Sequence, residues 1–168
     1  MSKFPLAHLL NWLPFKIGVS AKPRPLTSLG GIADRIRIAA FAERQAYYGF
    51  LEATRIFADE VPEDLLKAWK RVAQEEFKHE SWLLKRLEGI NQDVAELPVG
   101  LGLYNSFSKC ETAREFAFYI SDSEEKGRLA GLTFAEALKS RDPETARIFS
   151  DIALEELDHI SLAKKYFL

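Results

Sequence analysis

Two segments of this 168-residue chain carry the same pattern, Glu-x-x-His, at positions where an apolar residue would be expected. The first copy, Glu76 and His79, lies in QEEFKHESWLL, and the second, Glu156 and His159, lies in LEELDHI. Apolar residues recur around both copies at the three- and four-residue spacing of a helix, so both copies fall on the apolar face. The two segments are therefore predicted to be helices that turn a carboxylate and an imidazole toward their own core.

Four long segments have this helical spacing, and no segment has the pattern of an independent strand, so the sequence predicts an all-α fold. The four segments cover about residues 31–58, 62–89, 111–140 and 142–167. Pro62 and Pro143 are expected at the first position of their helices, where proline is favoured. Asp142 is expected to cap the last helix, and Gly89 to end the second.

The links between the four segments predict the topology. Short links join the first segment to the second and the third to the fourth, so each pair is expected to form antiparallel neighbours. Residues 90–110 lack a sustained period and are expected to form a long crossover. Two tight helix pairs joined by one long connection are typical of the ferritin-like four-helix bundle, which is predicted here over residues 31–168.

Residues 1–30 are predicted to form an N-terminal arm that packs on the bundle and ends in an extended connector. Prolines and polar residues interrupt the apolar stretch that a secretory signal needs. The side chains expected to pack on the bundle are Leu9, Leu10, Trp12 and Phe15. No stretch reaches the roughly 18 to 20 continuous apolar residues of a membrane span, so a cytoplasmic protein is expected.

The composition disfavours several classes of partner and site. With 25 acidic and 23 basic residues the net charge is -2, which provides no basic surplus for nucleic acid or an anionic membrane. The single cysteine, Cys110, excludes an internal disulfide and a thiolate-bound iron cluster within this chain.

The first and third segments also place a Glu within their apolar stripe. In the first this is Glu43, and in the third it is Glu124 or Glu125. Glu43 precedes the first Glu-x-x-His by nearly the same interval as the third-segment acids precede the second copy. Glu124 is preferred because Gly127 and Gly131 lie on its face, and mid-helix glycines, which cost about 0.5 to 1 kcal/mol relative to Ala, indicate a need for space. Glu125 remains the alternate.

Two metal ions would explain why these groups face one another. Residues three apart share a helical face, so one Glu-x-x-His can offer an oxygen and a nitrogen to the same ion. Carboxylates left together in a core would cost several kcal/mol each unless protons or cations neutralise them. The predicted metal ligands are Glu43, Glu76, His79, Glu124, Glu156 and His159.

The order of the motifs AER, EEFKHE, SEEKG and EELDH resembles that of the ferritin-like di-iron carboxylate superfamily. That superfamily takes one Glu from each of two helices and a Glu-x-x-His from each of the other two. The resemblance covers residues 32–167, and EEKG is similar to a motif of the tRNA-modifying di-iron hydroxylases and of related uncharacterised ferritin-like proteins. It implies the same six residues as ligands of two iron ions, with manganese as an alternative.

The resemblance also implies a function, a non-haem di-metal oxidoreductase that activates dioxygen or peroxide. In this hypothesis Glu76 and Glu156 bridge the ions, and an electron donor and a small organic substrate take part, as in a monooxygenase or hydroxylase. A tRNA base is the lesser substrate alternative, and a homodimer is one expected assembly. Oxidation of bound iron or manganese without an organic substrate is the second hypothesis. A helical interaction domain with a proton-sharing acid network is the third.

Other polar residues near the motifs receive separate predictions. The acids expected to be solvated or paired with Lys and Arg are Glu75, Glu80, Glu155 and Asp158. Asp122 and Asp151 are candidates to orient His159 and His79 through hydrogen bonds. Tyr47, one turn after Glu43, is either a hydrogen-bond or redox partner of the site or an ordinary packing residue. His8, in the arm, is not expected to be a ligand.

Overall fold

The computed structural model describes residues 2–168, and the regular elements within them are helices, which confirms the all-α prediction. The long helices are α1 (Leu29–Ile56), α2 (Glu63–Gly89), α4 (Ala113–Leu138) and α5 (Pro143–Phe167), and a short helix α3 (Gly102–Phe107) lies in the crossover. A single 3-10 turn, Ala7–Leu9, precedes them. Among the described residues, no helix combines the length and the apolar character needed to cross a membrane.

Side-chain caps explain where three of the long helices begin. The Ser28 hydroxyl accepts a hydrogen bond from the Gly31 amide at 3.0 Å and so starts α1. Thr112 and Glu115 form a reciprocal capping box at the start of α4. Asp142 accepts a hydrogen bond from the amide of the third residue of α5, with Pro143 in the first turn, as predicted. Pro62 differs from the prediction, because it precedes α2 as the cap residue and does not occupy its first position.

The crossover contains a helix that the sequence did not predict. Helix α3 is too short to show a helical period, and its place is set by a contact with α1. The ring of Phe107 packs against Gly49, where an added Cβ would lie 2.7 Å from the nearest ring carbon. A glycine in α1 thus lets the crossover approach closely enough to bury Phe107 completely.

The long helices form two hairpins, α1 with α2 and α4 with α5, as predicted. The hairpins meet through α2 against α5 and, less closely, through α1 against α4. The predicted apolar stripe of α2 is buried at every position, namely Leu65, Trp69, Val72, Glu76, His79, Leu83 and Leu87. Glu76 and His79 are therefore buried in the same stripe as five apolar side chains. This stripe lies where the two hairpins meet.

The N-terminal arm packs on α1 and the crossover. Trp12 and Phe15 are buried as predicted, and Phe4 joins them. The prediction for Leu9 is wrong, because its side chain is 68% exposed. The indole N–H of Trp12 donates to the Ala7 carbonyl at 2.8 Å, which folds the arm so that the indole takes the inner position and Leu9 points outward.

Candidate metal centre

The six predicted side chains meet at the centre of the molecule. Each Glu-x-x-His turns both members to one side of its helix, and α2 and α5 bring the two copies face to face. Two overlapping groups form, each with one ligand atom per residue within 4.8 Å of the others. The groups are Glu43, Glu76, His79 and Glu156, and Glu76, Glu124, Glu156 and His159. Glu76 and Glu156 belong to both groups, and so lie between two adjacent positions that can each hold a metal ion.

The distances around His79 suit one ion. Its Nδ1 atom lies 3.8 Å from Glu43 Oε2, 3.7 Å from Glu76 Oε2 and 3.6 Å from Glu156 Oε1. Two ligands that are each about 2.1 Å from one ion lie roughly 3 Å apart at a right angle and roughly 4.2 Å apart on opposite sides. The observed separations fall within that interval.

The second imidazole has an equivalent set of carboxylate neighbours, with one shorter separation. The Nδ1 atom of His159 lies 2.8 Å from Glu76 Oε1, 3.5 Å from Glu156 Oε2 and 3.9 Å from Glu124 Oε1. His159 and Glu124 therefore belong to the second group in the same way that His79 and Glu43 belong to the first. The two hairpins thus each contribute one Glu and one Glu-x-x-His to the centre.

Several buried atoms of the cluster have no hydrogen-bond partner. They are Nδ1 of both histidines, both carboxylate oxygens of Glu124, Glu76 Oε1 and Glu156 Oε2. Buried polar atoms normally find a partner, and each one left without costs about 1 to 3 kcal/mol. All of these atoms point toward the same small volume, so cations in that volume would satisfy them together. The residues present fit a pair of metal ions.

The opposite nitrogen of each imidazole is held by a carboxylate from the other hairpin. His79 Nε2 lies 2.8 Å from Glu155 Oε2, and His159 Nε2 contacts Glu75 Oε2. Lys78 donates to Glu155 at 2.6 Å. These crossed pairs point each Nδ1 inward, and fixing one ring nitrogen in this way is how proteins orient a ligating histidine.

The prediction that Asp122 and Asp151 orient the histidines is wrong, since both side chains are exposed. Each residue advances about 100° around a helix, so the residue before a core Glu lies on the flank that faces the neighbouring helix. Glu75 and Glu155 occupy that flank at the contact of α2 with α5. A signal was present in the sequence, because both motifs begin with two consecutive acids, Glu-Glu-x-x-His.

The remaining polar neighbours lie outside the cluster. Glu125 pairs with Arg128 at 2.8 Å on the outer side of α4, so of the two adjacent acids it is Glu124 that reaches the centre. Glu80 is buried and accepts two hydrogen bonds from Arg44, at 2.6 and 2.8 Å. Tyr47 is half-buried and packs beside the rings of Tyr48 and Phe77, and Asp158 and His8 are exposed.

Protons and cations compete for the same atoms. Burial and the charge of Glu76 raise the pKa of Glu43, and burial with the charges of Glu156 and Glu76 raises the pKa of Glu124. Burial also opposes ionisation of Glu76, but the close approach of Glu43 and His159 outweighs it and lowers the Glu76 pKa.

The pKa values of both imidazoles are also raised, but for a different reason. Burial alone would lower their pKa, but the surrounding carboxylates outweigh burial. The carboxylates of Glu156 and Glu43 raise the pKa of His79 well above its ordinary value, and those of Glu156 and Glu76 raise that of His159 to about 12. Without metal, the negative charge of the cluster is balanced by these protons.

A cavity of about 110 Å³ lies directly against the four carboxylates. Its walls include Ala39 and Ala42 of α1 and Gly127 of α4, and neither histidine borders it. The centre therefore has two unlike sides. We call the α2–α5 side, with both histidines and their carboxylate partners, the histidine face, and the α1–α4 side, with the cavity, the cavity face.

Comparisons of the chain with known protein families, with curated proteins and with solved structures found no match. The geometry by itself establishes a buried Glu/His cluster, in two overlapping groups, that can hold metal ions.

Proposed function

We propose that this protein is a non-haem di-metal oxidoreductase that holds two iron or manganese ions and activates dioxygen or peroxide. The observation that carries the proposal is the pair of overlapping Glu/His groups that share Glu76 and Glu156. A donor set of carboxylates with one imidazole per ion suits iron and manganese. The arrangement of two hairpins around this set supports assignment to the ferritin-like type of four-helix bundle.

Charge balance supports a pair of divalent ions. Four ionised carboxylates and two neutral imidazoles carry four negative charges, which two divalent cations neutralise. Glu76 and Glu156 would be shared by the two ions, while Glu43 with His79 would hold one ion and Glu124 with His159 the other. Neutralisation removes the desolvation cost that buried carboxylates would otherwise impose on the fold.

When bound, two redox-active ions supply the electron transfer and Lewis acidity that reduction of dioxygen requires. The protein's part is to fix the ligand positions and to exclude bulk water from the centre. The cavity supports a reaction with an organic molecule, because oxidation of metal alone needs no apolar space beside the carboxylates. Hydroxylation of a C–H bond by dioxygen consumes two electrons and two protons and forms one water, so a separate two-electron donor is required.

Metal analysis of matched variants tests the centre. Wild-type protein loaded anaerobically with ferrous iron is expected to retain about two equivalents after desalting. Glu124→Gln is expected to lose about one equivalent, because it removes a charge from one position. Glu125→Gln, next to it on the outer side of the same helix, is the control and is expected to retain both. Equal metal contents in the two variants would contradict the proposal.

Oxygen consumption separates the oxidoreductase from the alternatives. The ferrous protein is expected to consume dioxygen repeatedly when a reductant is supplied, and Glu76→Ala is expected to abolish this. A single stoichiometric uptake without further turnover would instead favour oxidation of bound metal as the whole function. If the protein binds no metal and a chelator leaves its thermal melt unchanged, the acids form a proton-sharing network in a helical interaction domain.

A further inference from the structure

The cavity beside the carboxylates has the form of a ligand site. Its inner end is made by the four glutamates of the cluster. Its walls are mainly apolar side chains contributed by every helix, together with the polar side chains of Ser123 and Arg128 on α4. The bulkiest wall residues are Leu83, Leu103, Ile120, Phe149 and Ile152. An apolar chamber that ends in carboxylates brings a bound molecule directly against the centre.

The exposure of the wall residues locates the opening. Every residue that α2 and α5 contribute is buried, whereas the exposed and half-buried ones come from α1, α3 and α4. Gly127 is exposed and still borders the cavity, and an added Cβ there would meet no atom within 4 Å. The mouth therefore lies between α1 and α4, at Gly127.

A buried side chain without a partner points to an occupant. Both oxygens of Glu124 border the cavity without a hydrogen bond, although its side chain is only 8% exposed. Metal binding at the cluster can engage one or both of these oxygens, but it does not fill the apolar chamber in front of them. The unpaired carboxylate of Glu124 and the chamber in front of it together indicate a binding site for a molecule.

The size and lining of the chamber define the class of that molecule. Arg128 is already paired with Glu125 at 2.8 Å, and most of the remaining wall is apolar. A charged group would lose its hydration there, so the buried part of the molecule must be uncharged. A water needs roughly 10 to 15 Å³ of such volume, and an apolar cavity of roughly 150 Å³ in another protein binds benzene. At about 110 Å³ the chamber suits a single ring or a short alkyl chain.

We propose that this chamber binds a small uncharged apolar molecule, or the apolar end of a larger one, that reaches the centre between α1 and α4 past Gly127. The occupant is the organic substrate if the proposed function holds, and in that respect this inference rests on it. Binding itself requires no metal. The two ideas can therefore fail separately.

Fluorobenzene is a suitable probe, observed by fluorine NMR with the metal-free full-length protein. Saturable binding to the wild type is expected. Gly127→Leu and Ala42→Leu narrow the mouth from opposite walls and are each expected to weaken binding at least about tenfold. Gly102→Leu is the matched control, because Gly102 is also a helical glycine with open space around it but does not border the cavity. It is expected to bind as the wild type does.

Absence of saturable binding to the wild type would overturn the inference, as would equal binding by the wild type and both cavity variants. Equal weakening by Gly102→Leu would also overturn it. If circular dichroism shows that Gly127→Leu does not fold, binding by Ala42→Leu alone tests the inference. Adding manganese(II) should broaden the signal of bound fluorobenzene, since the ring lies against the carboxylates. Fluorobenzene binding without metal binding would leave the chamber proposal standing and refute the di-metal centre.

Discussion

The histidine face and the cavity face enclose the same cluster but are built from different side chains. On the histidine face each imidazole is held by a carboxylate, and those carboxylates in turn pair with Lys78 or Arg71. On the cavity face small residues border an open chamber, and neither oxygen of Glu124 has a hydrogen bond. One face fixes the geometry of the ligands, and the other leaves room for a reaction partner.

The difference also explains how the bundle can hold its ligands rigidly and still leave the cluster accessible. Helices α2 and α5 each contribute a Glu and a His and pack against one another. Helices α1 and α4 contribute one Glu each and meet less closely, and the part of the cavity wall that they supply includes Ala39, Ala42 and Gly127. Four sets of measurements test whether the two faces differ in this way, beginning with the one expected to change metal binding most.

Removing a shared carboxylate should have the largest effect. Glu76→Gln or Glu156→Gln takes a ligand from both ion positions at once, so we expect the loss of both metal equivalents. Glu43→Gln, which affects one position, should lose about one. Inductively coupled plasma mass spectrometry of desalted protein measures this. If Glu43→Gln and Glu76→Gln lose the same amount, the two groups do not share their glutamates as described.

Loss of an orienting carboxylate on the histidine face should be the next largest effect. Glu75→Gln and Glu155→Gln leave all six ligands in place but remove the charged acceptor from the outer nitrogen of His159 or His79. We expect each to weaken metal affinity by about 10- to 100-fold. Competition with a calibrated chelator measures the change, and Asp151→Asn is an exposed control on α5. Unchanged affinity in both variants would show that the crossed pairs do not position the imidazoles.

Acidification by a single pH unit should also weaken metal binding. The pKa values of both imidazoles and of Glu43 and Glu124 are raised in the metal-free protein, so these groups hold protons that an ion must displace. Affinity should therefore rise with pH, by about tenfold per pH unit for each proton displaced. Isothermal titration at pH 6, 7 and 8 checks this. A constant affinity across that range would contradict the competition.

Substitutions at two glycines should have the smallest effect. Together they compare the two roles that small residues have in the bundle. Gly127→Ala adds a methyl group in open space and should stabilise the fold by about 0.5 to 1 kcal/mol, because alanine is the better helix former. Gly49→Ala should destabilise it, because the new Cβ would lie 2.7 Å from the Phe107 ring. Urea unfolding measures both. Destabilisation by Gly127→Ala would mean that the mouth of the cavity is not open.

Several features of the fold were predictable because they depend on local rules. Helical spacing predicted the four long helices, and Asp142 with Pro143 marked the start of α5. Helix α3 was missed since six residues are too few to show a period, and its position depends on the contact of Phe107 with Gly49. The outward turn of Leu9 likewise follows from a hydrogen bond made elsewhere in the arm.

Residue type and spacing were enough to predict that four helices each turn a Glu inward and that two of them add a His, because they place a side chain on one helical face. Which neighbours these groups meet depends on the packing of the helices. Glu75 and Glu155 hold the histidines, and a chamber opens at Gly127, because both features depend on how far apart the helices pack and how each is rotated toward the others. Neither the distance between two helices nor the rotation of each helix can be read from the spacing of residues along one helix.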